Sequence, residues 1–164
     1  MRIKKTDIRK AELLDASMLN FLFRQCFSDV VRRFGLTPEN FPGHPLNSSV
    51  ENFQKDLSRG VFFFIKIDRG IPAGYIGLEP FSLEHCDIVQ LGVLPGRRRR
   101  GFGTELVEKA ILEAKNVSAK HVGSAIIAED TELKSWYKKL GFFEIETRRE
   151  NHLPFRVTLM QVPL

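Results

Sequence analysis

The sequence predicts a mixed α/β fold of the α+β type, with helices flanking a central, mostly antiparallel sheet of about seven strands. Three observations support this prediction. The length of 164 residues is that of one domain, so we expect a single domain over residues 1–164. Two strand patterns around residues 68–70 form a hairpin, and a strand–helix–strand unit follows in the second half. A content of 43% hydrophobic and 27% charged residues is typical of a soluble globular chain.

Apolar runs rich in β-branched and aromatic residues predict the strands. The clearest is VFFFIKI at residues 61–67, which precedes the turn Asp68-Arg69-Gly70. The expected strands cover residues 2–9, 61–67, 71–79, 84–94, 121–128, 142–147 and 155–162.

Helical spacing of apolar residues and capping residues predict the helices. The segment GLTPENFPGHPLN (residues 35–47) has three prolines and two glycines and must be a loop. Ser48 or Ser49 caps the helix that follows it, and Asp130 or Thr131 caps the last helix. The expected helices begin at about Ala11 and cover residues 27–34, 48–58, 104–116 and 131–140.

The most informative stretch is LGVLPGRRRRGFGTELVEKA, residues 91–110, where a strand turns into a helix. Four of the 25 Lys and Arg residues are consecutive here, so the net charge of +5 is local. A helix N-terminus offers unpaired N–H groups to an anion, and Gly101 and Gly103 carry no side chain that would block them. Guanidinium groups add charge-assisted contacts. The turn therefore predicts a phosphate site, and a pyrophosphate fits it better than a single phosphate.

Two familiar phosphate loops do not fit. Residues 96–101 satisfy G-x4-G, but Phe102-Gly103 replaces the Lys-Ser/Thr of a P-loop, so nucleotide hydrolysis is poorly supported. The dinucleotide pattern G-x-G-x-x-G fails because Leu106 occupies the third glycine position.

A third pattern matches. RRRGFG (residues 98–103) has the form Arg-x-x-Gly-x-Gly and resembles the coenzyme A pyrophosphate loop of the GNAT superfamily of N-acetyltransferases. WYKKLGF (residues 136–142) resembles the second signature of that superfamily, and the order of elements is similar over nearly the whole chain. The segments FPGHPLN and HLPF (residues 152–155) resemble a bacterial branch of it. The resemblance implies a GNAT-like fold and direct transfer of an acetyl group from acetyl-CoA to a primary amine.

The resemblance also implies which residues hold acetyl-CoA. The strand before the loop is expected to separate from its neighbour near residues 91–94 and to expose backbone groups to the acetyl group and the pantetheine arm. Asp130 and Leu133 depart from the asparagine and alanine that the superfamily often has there. The expected contacts are Leu91, Val93, Leu94, Arg98, Arg99, Arg100, Gly101, Phe102, Gly103, Thr104 and Asp130, with Arg98 first among the arginines.

Two residues are candidates for catalysis. Tyr137 matches the tyrosine whose hydroxyl approaches the sulfur, so the resemblance implies a general acid. Asp87 falls where some members place a catalytic carboxylate, and it is the candidate base. The alternatives are His85, which shares a strand face with Asp87, a water chain, and the carboxylates Glu79 and Glu84. Cys86 should point away from its two neighbours, which argues against a nucleophilic set.

The remaining expectations concern partners. The acceptor is a small-molecule or peptide amine, bound by residues 27–58 and 147–155. We expect no metal, because the four histidines lack ligand spacing, no membrane contact, and a cytoplasmic protein. Three glutamates on the helix after the arginines argue against nucleic acid. The chain is expected to be a monomer, or a homodimer paired through an exposed edge strand at residues 155–162. A non-catalytic CoA-binding or regulatory domain stays as the alternative function, and a nucleic-acid-binding module as a weaker one.

Overall fold

The structure is a computed structural model that describes residues 7–164, and seven strands of this part form one sheet in the order β1-β2-β3-β4-β5-β7-β6. The pair β4–β5 is parallel and the other described pairs are antiparallel. The predicted mixed, mostly antiparallel sheet is therefore confirmed. The strands are β1 (Asp7–Lys10), β2 (Phe62–Asp68), β3 (Ile71–Pro80), β4 (His85–Val93), β5 (His121–Ile127), β6 (Phe143–Arg149) and β7 (Arg156–Pro163).

Five α-helices of the described chain flank the sheet. None of them is long and apolar enough to cross a bilayer. Ser49 caps the third helix through a bond from the N–H of Asn52 to its Oγ, and Asp130 caps the fifth. The helices are α1 (Ala16–Cys26), α2 (Ser28–Arg33), α3 (Val50–Ser58), α4 (Phe102–Asn116) and α5 (Thr131–Lys139).

Several predicted boundaries differ from the observed ones. Helix α1 begins at Ala16, not near Ala11, because residues 13–15 form a 3-10 turn first. Helix α4 begins at Phe102, two residues earlier than predicted, because the left-handed Gly101 turns the chain directly into the helix. The predicted first strand lies partly outside the described residues; from Asp7 onward it is a strand, as expected.

The sheet separates two apolar cores. On the side that we call the α4 face, Leu106 and Val107 pack with Leu78, Ile88 and other sheet residues. On the opposite side, the α1 face, Leu19, Leu22 and Phe53 pack on sheet residues such as Phe63 and Tyr75. Burying each large apolar side chain contributes about 1.5–3 kcal/mol, so these cores hold the helices on the sheet.

The strands β4 and β5 separate part-way along their length. Their pairing runs from His85 opposite His121 to Ile88 opposite Ser124, yet both strands continue beyond it. Val89 is an extra residue in the pairing with β3, which places Ile88 opposite Leu78 and Gln90 opposite Gly77. Such a bulge bends a strand and increases its twist. The separation, which we call the fork, therefore starts at Val89 and not near residues 91–94.

One prediction about the sheet edge is wrong. Strand β7 lies between β5 and β6, so it is not the exposed edge strand expected at residues 155–162. Its side chains Val157, Thr158 and Met160 are buried, whereas every residue of β6 is exposed. The apolar side chains of β7 supply core contacts that an edge strand would leave in water.

Candidate active site

The loop from β4 to α4 has a backbone that few residues adopt. Arg99 has a φ of 64° and Gly101 a φ of 82°, both in the left-handed region. This conformation costs a residue other than glycine about 1–2 kcal/mol, and strain of this kind is concentrated at functional sites. Gly101 is the N-cap of α4 and offers no side-chain acceptor, so the first N–H groups of the helix lack a cap. The loop therefore presents an open anion-binding helix end.

Arg98 ties this loop to the junction of α1 and α2. Its Nη1 donates to Asp29 Oδ2 at 2.8 Å, its Nη2 donates to the carbonyl oxygen of Cys26 at 2.8 Å, and its Nε donates to the carbonyl oxygen of Val93 at 3.0 Å. The Asp29 contact raises the pKa of Arg98, and it lowers the pKa of Asp29. The Arg98 guanidinium is thus engaged by the protein itself.

Of the other three arginines of the run, two contact a carboxylate of the protein and one does not. Arg97 donates to Asp68, and Arg100 Nη1 lies 3.5 Å from the same carboxylate, which is 4% exposed at the end of β2. Arg99 has no polar partner among residues 7–164. Three arginines therefore hold the loop in place, and one is left for a ligand.

A further ion pair contacts the first turn of α4 from the side of the sheet. Lys66, which is almost fully buried on β2, donates to Glu105, and its Nζ lies 5.0 Å from the centre of the Phe102 ring. The lysine offsets the negative charge of Glu105, which would otherwise oppose an anion at this helix end.

The loop, the end of β4, α2 and α5 enclose a cavity of about 930 Å³, within the range of sites that bind a whole cofactor. Leu94 packs against the α1-face core instead, and Arg100 points to Asp68. The predicted residues that line the cavity are Leu91, Val93, Arg98, Arg99, Gly101, Phe102, Gly103, Thr104 and Asp130.

Gly103 has a second reason to be glycine. A Cβ added to it would lie 3.1 Å from Cζ2 of Trp136, the aromatic residue that precedes Tyr137. The two sequence signatures therefore meet, because the glycine of the first admits the indole ring of the second.

Tyr137 lies at the apex of the fork. It is 2% exposed, and its hydroxyl accepts a hydrogen bond from Ser124 Oγ at 3.1 Å. Ser124 is the last residue of β5 that pairs with β4. Burial raises the pKa of Tyr137 to about 12, so the phenol keeps its proton at neutral pH. Because Ser124 Oγ donates the hydrogen bond between the two hydroxyl groups, the hydroxyl proton of Tyr137 is available to another acceptor.

Asp87 lies on the other side of the sheet. Its Oδ1 is 2.7 Å from His85 Nε2, and both side chains cover Gly123, where an added Cβ would meet that Oδ1 at 2.5 Å. Asp87 and Tyr137 thus approach β4 and β5 from opposite faces, just before and at the point where the strands separate.

The other candidate carboxylates are engaged by cations. Glu79 contacts Arg59, and Glu84 accepts from Lys120 at 2.5 Å. Cys86 is fully buried in the α4-face core, where burial raises its pKa. No group of three or more His, Cys, Asp or Glu side chains within residues 7–164 is arranged to hold a metal ion.

The family model for acetyltransferases of the GNAT family matches residues 23–142, which is most of the chain and includes both signatures. The chain belongs to the GNAT family of acetyltransferases. The predicted family and the predicted N-acetyltransferase class are therefore confirmed.

Solved structures show the same GNAT fold. The PaiA N-acetyltransferase from Thermoplasma acidophilum, in complex with coenzyme A, has a TM-score of 0.82 at 16% identity, covering 98% of this chain and 99% of that one. The ribosomal-protein-S18-alanine N-acetyltransferase from Escherichia coli has a TM-score of 0.77 at 18% identity, covering 97% and 94%. YncA, a putative acetyltransferase from Salmonella typhimurium with acetyl-CoA, has a TM-score of 0.75 at 16% identity, covering 98% and 95%.

Sequence reasoning missed α2 as a wall of this cavity. Arg33 of α2 places Nη2 3.4 Å from Oδ1 of Asp130, so an ion pair joins α2 to the N-cap of α5. The partners are far apart in sequence and no motif connects them. The sequence offered only Asp130 itself, as a candidate N-cap; the structure shows that this carboxylate is 7% exposed and therefore needs a cation nearby.

Arg33→Ala should destabilise the protein by about 1 kcal/mol, because it leaves the buried Asp130 carboxylate without its counter-charge. Asp130→Asn keeps an oxygen for the α5 cap, so the double variant should recover part of that loss. Urea unfolding of both single variants and the double variant measures the coupling. Strictly additive losses would show that the pair does not join α2 to α5.

Proposed function

We propose that this protein transfers the acetyl group of acetyl-CoA directly to a primary amine of a small molecule or peptide, without an acyl-enzyme. One observation carries the proposal: the fork and the uncapped end of α4 open into the same cavity. Leu91 and Val93 of the fork line it together with residues 101–104 of the helix end. A ligand with an anionic end and an extended neutral arm suits this combination.

The residues of the cavity fit acetyl-CoA. The N–H groups at the start of α4 and the free guanidinium of Arg99 would hold the pyrophosphate, while Arg98 would keep the loop in position. Within residues 7–164, the edge of β4 that faces β5 has no strand partner beyond Ile88, so it can bond amide groups of the arm. Acetyl-CoA would supply the acetyl group as a thioester.

The chain must also remove a proton from the acceptor amine, because an alkylammonium with a pKa of about 10 has no free electron pair. We propose Asp87, hydrogen-bonded to His85, as the base, with water as the relay between them and the amine. An N–H group of the fork would donate to the carbonyl oxygen as it gains negative charge.

Tyr137 would act on the leaving sulfur. Its hydroxyl would donate a hydrogen bond to the thiolate as the carbon–sulfur bond breaks and would then pass its proton to the sulfur. Because burial raises the pKa of this phenol to about 12, the phenolate would at once regain a proton through water, which balances the proton taken from the amine. A pure CoA-binding domain needs no buried phenol at the apex of the fork, which favours the enzyme over the non-catalytic alternative.

The pairing of the arginines argues against a nucleic-acid-binding module. Asp29 and Asp68 engage three of the four guanidinium groups, so the run does not form an open basic surface. Non-specific binding to nucleic acid depends on such a surface.

Arg99→Ala should weaken acetyl-CoA binding about 5- to 30-fold without lowering stability, because Arg99 has no other partner to lose. Arg98→Ala should weaken binding and also lower the free energy of unfolding, since the loop loses its link to Asp29. Calorimetric titration and urea unfolding separate the two effects.

Arg149→Ala is the matched control, because this exposed arginine lies on β6 away from the cavity. Binding of acetyl-CoA to Arg99→Ala with wild-type affinity would rule out the assigned role of Arg99.

Tyr137→Phe should lower kcat about 10- to 100-fold while the Kd for acetyl-CoA changes less than about twofold. Because burial raises the pKa of this phenol to about 12, the wild-type rate should not fall between pH 8 and 10 through loss of this proton. Steady-state rates from pH 6 to 10 test both statements. Full turnover of Tyr137→Phe across that range would remove Tyr137 from the mechanism.

A further inference from the structure

A second, smaller cavity of about 180 Å³ lies on the α1 face of the sheet. Helix α1 contributes Phe23, helix α3 contributes Phe53 and Asp56, the loop before α3 contributes His44, and β4 contributes Gln90. The volume is below that of sites for drug-sized ligands, so the cavity admits one small residue or a ligand of similar size.

The amide of Gln90 has a defined orientation. Tyr75, which is fully buried, places its hydroxyl 2.6 Å from Gln90 Oε1. The tyrosine hydroxyl must donate, and only the amide oxygen of Gln90 can accept from it. Gln90 Nε2 is then left with its two donor hydrogens, and it has no partner among the described residues. The β4 side of the cavity is therefore a hydrogen-bond donor.

His44 provides a second donor. Its Nδ1 accepts from the backbone N–H of Leu46 at 3.1 Å, so in the neutral ring the proton is on Nε2. The ring is 7% exposed, and Nε2 has no hydrogen-bond partner within residues 7–164. Two donors without partners line a cavity whose other walls include two phenylalanine rings. The matching ligand group is an oxygen that accepts hydrogen bonds.

The charges around the cavity distinguish a neutral oxygen from a carboxylate. Asp56 lines the cavity, and Glu79 and Asp87 lie on the same face as a cross-strand pair. Arg59 is the counter-charge that contacts Asp56 and Glu79. Arg24 is a second cation at the cavity, since it donates to the carbonyl oxygen of the lining residue Ser48 at 3.0 Å. Three carboxylates against two guanidinium groups leave a net negative charge, which attracts an ammonium group and disfavours a carboxylate on the ligand.

We infer that this second cavity binds an α-amino group whose neighbouring carbon carries a neutral carbonyl, as in the first residue of a peptide or an amino-acid amide. Gln90 Nε2 and His44 Nε2 donate to the carbonyl oxygen, and Phe23 and Phe53 surround a small side chain. The inference rests on the proposed acetyl transfer and names the acceptor for the same site.

The position of the cavity relative to the fork supports this assignment. Because Val89 is the bulge, Gln90 lies on the same α1 face of β4 as Asp87, and Val89 Cγ2 lies on this face too, 3.1 Å from where a Cβ on Gly77 would be. Asp87 precedes the fork and Gln90 borders it. An acceptor whose carbonyl is held at Gln90 therefore has its amine next to the fork, on the same face as the candidate base.

The test compares three amines of similar shape: alaninamide, free alanine and isopropylamine. Each is assayed with acetyl-CoA and wild-type protein, Gln90→Glu, and the control Gln25→Glu, which makes the same change at an exposed position of α1. Gln90→Glu replaces the donor by an acceptor of the same size. Because the same amines are compared in each protein, differences in amine pKa cancel between proteins. For the comparison of alaninamide with alanine in wild type, kcat/KM is expressed per concentration of neutral amine.

Wild type should have a kcat/KM for alaninamide at least 10-fold above that for alanine. Gln90→Glu should lower the ratio of kcat/KM for alaninamide over isopropylamine by about 10- to 100-fold, and Gln25→Glu should leave the ratio unchanged. Acetyl-CoA affinity, measured by calorimetry in parallel, should be the same in all three proteins.

The possible failures are distinguishable. Suppose that wild type binds acetyl-CoA but that the ratio of kcat/KM for alaninamide over isopropylamine is unchanged in Gln90→Glu. The inference about the acceptor is then overturned, while the binding of acetyl-CoA stands. The same conclusion follows if wild type binds acetyl-CoA but acetylates none of the three amines. If alanine reacts as fast as alaninamide, the preference for a neutral carbonyl is wrong. If wild type does not bind acetyl-CoA, the proposed function fails and the inference fails with it.

Discussion

The hydrogen bonding between β4 and β5 stops after Ile88 and Ser124, and the arrangement of the candidate site depends on where it stops. A sheet that remained paired would leave no free backbone groups between these strands. The bulge at Val89 turns β4 away from β5 and brings Gln90 onto the face that carries Asp87. At the same point Ser124 holds the hydroxyl of Tyr137. One local irregularity therefore creates a gap with a buried phenol on one side and a carboxylate on the other.

The arginine run illustrates how binding and folding share the same residues. Three of its four guanidinium groups contact Asp29 or Asp68, which anchor the loop to α1–α2 and to the β2–β3 hairpin. Arg99, in a strained left-handed conformation, is the member that remains for a ligand. Anchoring holds the end of α4 open, so the anion site exists before any ligand arrives. This preorganisation lowers the entropy that a ligand must lose on binding.

The sequence predicted the sheet type, the helices and the two signatures, because each of these depends on local patterns. Gly101 has a left-handed φ, and Gly103 lies close to Trp136. Both positions favour glycine, so both are recognisable in the sequence. The position of β7 inside the sheet could not be predicted, since strand order depends on long-range packing. The same is true of the partners of Arg98 and Asp130: Asp29 and Arg33 are distant in sequence and belong to no motif.

The orientation of Gln90 was also beyond the sequence, because it follows from a cross-strand contact with Tyr75. A strand pattern shows which face a residue occupies only if no bulge intervenes, and the bulge at Val89 reverses the alternation that would otherwise hold. For the acceptor side that we propose, the sequence therefore predicted only two ranges, residues 27–58 and 147–155.

The most direct test of the account is hydrogen–deuterium exchange measured by mass spectrometry, with and without acetyl-CoA. We expect acetyl-CoA to slow exchange in peptides that cover residues 89–94 and 99–104, where β4 is no longer paired with β5 and the N-cap of α4 provides no side-chain acceptor. The paired part of the same strand, residues 85–88, should not change. Protection that is absent from residues 89–94, or that is spread evenly over the sheet, would contradict the claim that the fork is the donor site.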